Sequence, residues 1–211
     1  MIAFAACVGT PAKLAAYAAP GLQRVMEPDS AFAELTTDRS IHEAYNEALE
    51  HFAVVDGLEA LVLLHEDTEL LDADFCARVR AVLRDPSVAI AGAVGARGVT
   101  SLRWWEGGIA GRAAETRGVV AGAPAPSDVD CVDGLLMVLS PWAVAHLRCD
   151  AERFTGFHAY DADLCFAARA AGRRVVVADL NVFHHTKGGY GDEAAFAAAD
   201  AAFRRKYALA A

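Results

Sequence analysis

The sequence predicts an α/β protein built on an open, doubly wound, mostly parallel sheet. Three observations carry that expectation. Apolar strand-like runs and helical stretches alternate about three and a half times over residues 1–95. The run Ala60–Leu64 is apolar throughout, as a strand covered on both faces must be. The 211 residues are 55% hydrophobic and 22% charged, enough apolar material for a sizeable core.

Met1–Val8 reads as the first strand, closed by Gly9-Thr10-Pro11, and Pro11 opens a short helix over Lys13 to Tyr17. Leu22–Met26 reads as a second strand ending in Glu27-Pro28-Asp29-Ser30. A helix is predicted from Asp38 to about Phe52, with Ile41, Tyr45, Ala48 and Phe52 on one stripe and Asn46 well off it. Asp56-Gly57 turns the chain into the strand Ala60–Leu64. A helix follows from about Asp72 to Leu83 and stops at Asp85-Pro86. Val88–Ala93 is a further strand.

Residues 95–127 are rich in glycine and predict loops with short antiparallel strands. Asp130–Leu139 predicts a strand pair or one long strand, and Pro141–His146 a short helix. Asp161–Gly172 predicts a helix with Leu164, Ala168 and Ala171 inward and Gly172 closing it. Strands over Arg174–Ala178 and Val182–His185 come next. The last helix, Asp192 to Tyr207, carries Phe196, Ala199, Phe203 and Tyr207 at helical spacing. No repeat and no interdomain linker interrupts residues 1–211, so one domain is expected.

The formal charge of −9, without a basic block, argues against nucleic acid as a partner. The start MIAFAACVGT has no basic region and an apolar run of only about nine residues, which predicts a strand rather than a signal peptide. No stretch approaches the roughly 18 apolar residues of a membrane span. Cys7, Cys76, Cys131, Cys149 and Cys165 are scattered and odd in number, which favours free thiols and a reducing cytoplasm.

Chemistry concentrates in two acidic clusters. In open α/β sheets ligands bind beyond the carboxyl ends of the strands. The stretch LVLLHEDTEL places His65, Glu66 and Asp67 there. Two acids and an imidazole suit a hard divalent cation, and a cation suits a diphosphate leaving group. The second cluster holds Asp133 and the run GFHAYDADLC, with Asp161 and Asp163 at a helix start, where the macrodipole stabilises an ionised base. Asp163 is equally explained as an ordinary helix-start aspartate. Trp104 and Trp105 can offer aromatic faces to a ligand or cover the edge of the core. His158 and Tyr160 can hydrogen-bond an acceptor, and Tyr160 can equally be a packing residue. His42, His51 and His146 are read as surface or core histidines, and Arg204-Arg205-Lys206 as a solvated helix end.

Four stretches, in order, resemble a GT-A-fold, family 2-like glycosyltransferase, and more narrowly the short group associated with streptomycin biosynthesis proteins. They are IHEAYNEAL, LVLLHEDTEL, CDAERFTGFHAYDADLCFAARAAGRRVVV and NVFHHTKGGY, spread over about residues 1–190. The resemblance implies a single GT-A domain: a nucleotide-binding half to about residue 95, an acceptor and catalytic half over about 96–190, and a C-terminal helix over 192–207. It implies a nucleotide-diphosphate sugar as donor, an unknown hydroxyl as acceptor, and inverting transfer assisted by Mn²⁺ or Mg²⁺. Glu27 or Asp29 would hold the base or ribose, and Asn46 would support the nucleotide pocket. Asp67, with His65, would sit at the metal and diphosphate, with Glu66 beside the nucleotide. Asp161 matches the catalytic base, and Asp133, His158, Tyr160, Asp163 and the Trp pair fall on the acceptor side. His184 or His185 matches the late histidine near the metal. Lys187 would add positive charge there, and Gly188-Gly189 would give the loop mobility.

Three positions depart from the family pattern. His65 stands for the first Asp of the D-x-D motif, Tyr160 for the acid before the base, and the stretch after the second strand is EPDS. Two further readings therefore stand beside a transferase. One is a silent GT-A domain that binds nucleotide-sugar, glycan or a partner protein. The other is a metal-dependent hydrolase built from His65, Asp67, Asp161 and the late histidine. A homodimer is open as well.

Overall fold

A computed structural model describes residues 1–36, 40–188 and 191–209. The expected helix start at Asp38 and the loop residue Gly189 lie outside the described residues.

The strands are β1 (Ile2–Val8), β2 (Ala31–Thr36), β3 (Ala60–His65), β4 (Thr68–Leu70), β5 (Val88–Gly92), β6 (Val94–Arg97), β7 (Gly108–Glu115), β8 (Gly118–Ala121), β9 (Ser127–Asp128), β10 (Cys131–Val132), β11 (Leu136–Leu139), β12 (Arg174–Val177) and β13 (Val182–His184). The helices are α1 (Pro11–Lys13), α2 (Ala19–Val25), α3 (Ile41–Ala53), α4 (Phe75–Leu83), α5 (Pro141–His146), α6 (Tyr160–Ala170) and α7 (Glu193–Lys206). A π-turn over Leu14–Ala18 joins α1 to α2.

The main sheet runs β2-β1-β3-β11-β5-β12-β9. Its β2, β1 and β3 are parallel, as are β5 and β12, while β11 enters antiparallel between β3 and β5. Residues from both halves of the chain therefore share one sheet. A second sheet, β10-β6-β7-β13-β4 with β8 on β7, lies over the carboxyl end of β3. This is the loop-rich, antiparallel region expected after residue 95.

The core follows from the strand pattern. Every residue of β1 is buried, and Leu61, Val62, Leu63 and Leu64 of β3 are wholly so. Burying one such side chain stabilises by roughly 1.5–3 kcal/mol. Helix α3 is set by a capping box in which Ser40 accepts from the Glu43 amide and Glu43 accepts from the Ser40 amide. It buries Ile41, Tyr45, Ala48 and Phe52 as expected. All five cysteines are free and buried.

One element was misread. Leu22–Met26 is not a strand, because the helix opened at Pro11 continues through the π-turn to Val25. The second strand is Ala31–Thr36, a half-exposed edge strand. No helix among the described residues is long and apolar enough to cross a membrane.

Candidate active site

The parallel strands β1 and β3 both end where residues 65–67 turn the chain. Glu66 does not face the cleft. Its Oε2 accepts from the amides of Gly9 and Thr10 at 2.9 and 2.7 Å, which ties the end of β1 to the end of β3. Asp67 and His65 flank it. Strand β13 pairs antiparallel with β4 and parallel with β7, setting His184 opposite Thr68 and Glu115. That register brings His184 Nε2 to 3.2 Å from Asp67 Oδ1 and 3.5 Å from His65 Nδ1. One ligand atom from each of His65, Asp67 and His184 falls within 4.8 Å of the others. The sequence had left two histidines open, and geometry selects the first. His185 turns away, stacks on Tyr17 at 4.1 Å and meets Glu69 at 3.2 Å.

Burial and mutual charge set the electrostatics of the trio. Burial, then the neighbouring His184, pushes the His65 imidazole down to about 4, so it is neutral with a lone pair to give. Burial opposes the charge of Asp67, but the hydrogen bond and charge of His184 outweigh it and hold the carboxyl at about 2. His184 is raised: burial disfavours its charge, and Asp67 more than compensates. Its buried Nδ1 has no hydrogen-bond partner, although Glu115 Oε1 lies 3.6 Å away. Two imidazoles and a carboxylate converging in this way fit a divalent cation. Lys13, which no motif had marked, lies 3.6 Å from Asp67 and 3.8 Å from Glu66.

His65 and His184 line a cleft of about 810 Å³ together with the second cluster, Asp133, Tyr160 and Asp161. Ala159, the residue before α6, takes a left-handed backbone (φ 82°), which costs a non-glycine residue roughly 1–2 kcal/mol and aims the first turn at the cleft. Asp161 Oδ1 accepts from the Ala162 amide at 2.8 Å, and Oδ2 from the Gly134 amide at 3.1 Å. Burial, reinforced by the charge of Asp133, lifts the Asp161 carboxyl to about 6. Asp133 is itself raised by burial. Trp104, Trp105, His158 and Phe196 line the same cleft, with the two Trp rings edge to face at 5.9 Å. So do Glu115 and Arg117, a hydrogen-bonded ion pair that sequence reasoning missed.

Several expected residues are not brought in. Glu27 and Asp29 sit at the opposite, amino end of the sheet. Arg80 holds Glu27 through two bonds of 2.8 and 2.6 Å, and Asp29 lies 3.7 Å from the chain's amino group. Their misplacement follows from the misread strand. Asn46 is occupied by the backbone of Cys149, donating to its carbonyl and accepting from its amide. Asp163 points away, accepting from the Tyr207 hydroxyl and pairing with Lys206 at 2.7 Å, so it anchors α7. Tyr160 lines the cleft, but its hydroxyl is engaged by His65 and by the Gly134 carbonyl. Lys187 is exposed.

The model of the Glycosyltransferase like family matches residues 16–188. The Streptomycin biosynthesis protein StrF of Streptomyces griseus is 31% identical over 191 residues, covering 89% of this chain and 68% of that protein. Among solved structures, GalNAc-T7 with UDP, GalNAc and Mn²⁺ superposes with a TM-score of 0.61 at 7% identity, over 88% of this chain and 44% of the other. The mannosyltransferase PcManGT of Pyrobaculum calidifontis, in complex with GDP-Man and Mn²⁺, gives 0.54 at 15%, over 90% and 58%. A197 from STIV gives 0.55 at 15%, over 88% and 86%. The structural likenesses establish the fold, and the family match over most of the chain establishes kinship: this protein belongs to the glycosyltransferase-like family and has the GT-A fold.

Proposed function

We propose that the protein moves a sugar from a nucleotide-diphosphate donor to an acceptor hydroxyl, with inversion, Asp161 acting as base. The observation that carries this reading is that both clusters meet in one cleft. His65 and His184 of the three-ligand set line that cleft, and so does Asp161, whose carboxyl is lifted towards neutrality. The first half of the chain supplies His65 and Asp67, and the second supplies His184, the base and the acceptor surface.

His65, Asp67 and His184 would hold the cation. A cation held there would supply positive charge to offset what builds on the departing diphosphate. Two imidazole nitrogens favour Mn²⁺ over Mg²⁺, which prefers oxygen ligands. Lys13 beside Asp67 and Arg117 in the cleft bring further positive charge near the phosphates. Asp161, fixed by two backbone amides, takes the proton of the acceptor hydroxyl. The freed oxygen attacks the sugar C1 from the face opposite the diphosphate. The C1–O bond breaks, and the diphosphate leaves with the electron pair. Trp104, Trp105 and His158 orient the acceptor and exclude water.

Turnover of a panel of UDP-, GDP- and dTDP-sugars, followed by nucleotide release, tests the reading. Release should need Mn²⁺, stop with chelator and fail in Asp161→Asn. Full turnover in Asp161→Asn would remove the base.

A further inference from the structure

We infer that Tyr160 is a positioning residue for His65: its hydroxyl holds the imidazole as the Nε2–H tautomer, leaving Nδ1 bare towards Asp67 and His184. The inference rests on the cation reading above and supplies what orients one of its ligands.

Proton counting leads there. A phenol has one proton to donate, and a carbonyl can only accept. Tyr160 Oη lies 3.0 Å from the Gly134 carbonyl oxygen and 2.6 Å from His65 Nε2. The phenolic proton therefore goes to Gly134. Oη is left with lone pairs alone for Nε2, which must carry a hydrogen to bond at that distance. The reverse assignment would face two oxygen lone pairs across 3.0 Å in a buried place, an unsatisfied arrangement that is costly there. A neutral imidazole has one N–H. Nδ1 is then the bare nitrogen, and it lies 3.5 Å from His184 Nε2, on the side where Asp67 converges.

The surroundings fix the phenol for this task. Tyr160 is 3% exposed and packs edge-on to Tyr45 at 5.1 Å. A Cβ at residue 134 would collide with the Tyr160 hydroxyl, so glycine is required for the phenol to reach both partners. Histidines that bind metals commonly donate their second N–H to an acceptor, usually a carboxylate, backbone carbonyl or water; here the Tyr160 phenol takes that place. With its hydroxyl used twice, Tyr160 suits the packing alternative better than the acceptor contact that the sequence also offers.

Nitrogen NMR of the histidine-labelled, metal-free protein at neutral pH tests this directly, with His65→Gln assigning the resonance. The expected result is His65 protonated at Nε2 and bare at Nδ1. Protonation at Nδ1 overturns the assignment. Titration with Mn²⁺ alone gives a second readout. Tyr160→Phe, which removes the acceptor, and Gly134→Ala, which displaces it, should each weaken Mn²⁺ binding by about 10–100-fold. Unchanged affinity in a folded Tyr160→Phe protein overturns the proposal. If that variant does not fold, the wild-type tautomer decides. A wild type that takes up no Mn²⁺ would end the cation reading, and the tautomer would still decide the role of Tyr160.

Discussion

The two ends of the main sheet carry similar acids, but the carboxyl end holds, beside an Asp67 paired with His184 and Lys13, two acids that burial lifts. At the amino end, Glu27 and Glu59 converge on Arg80 through bonds of 2.6–2.9 Å, and the amino terminus lies 3.2 Å from Glu59. Hydrogen bonds from Arg80 hold Glu59 at about 2. Each acid there has a cation and stays ionised. At the carboxyl end, Asp133 and Asp161 share one cleft, and burial raises both. The lesson is that an acid at a strand end is chemically informative only through its neighbours. Paired acids fasten the fold, whereas a desolvated acid without a cation is poised to exchange a proton near neutral pH.

Breaking the carboxyl end should have the largest effect. Asp161→Asn keeps the shape and removes the base, so kcat should fall by about 10²–10⁴-fold with the melting temperature little changed. Next comes Asp67→Asn. Wild type should gain about 2.7 kcal/mol of stability from Mn²⁺ at a hundred times its Kd, and the variant should lose that gain in a thermal melt. Smaller again is the effect of pH. Asp161 works as a base only when ionised and titrates at about 6, so kcat/KM should be level above that pH. Below it, the rate should fall about tenfold per unit as the carboxyl takes up a proton. A profile flat down to pH 4 would contradict the assignment. The smallest effect belongs to the amino end. Glu27→Gln should cost at most about 1 kcal/mol in a denaturant titration, because the pair is partly exposed, and should leave turnover intact.

The same contrast explains what could be read from the sequence. The fold class was legible because β1, β3 and β5 are buried strands, and buried strands announce themselves as apolar runs. The edge strand β2 was not, since AFAELT is half-exposed and carries no such run. The short stretch Leu22–Met26 has no period of its own and reads as that strand. Its error moved the nucleotide contacts to Glu27 and Asp29, whereas the carboxyl end of β2 leads into residues 37–39, outside the described residues. His65 and Asp67 were legible from one strand end. Their meeting with His184 was not derivable from local pattern, since it depends on β13 pairing with β4 across more than a hundred residues of chain. Choosing His184 over His185 likewise needed the register. Asn46 and Asp163 were marked by motif, yet their atoms are occupied by Cys149 and by Tyr207 and Lys206. Lys13, Glu115 and Arg117 left no signal beyond being charged.

Calorimetric binding of UDP and GDP, with Mn²⁺ and with EDTA, to wild type and Asp67→Asn tests most directly whether His65, Asp67 and His184 hold a cation against a diphosphate. The account predicts that at least one nucleotide binds wild type with Mn²⁺, and that EDTA or Asp67→Asn removes that binding. Equal binding of the nucleotide in EDTA and in the variant would contradict it.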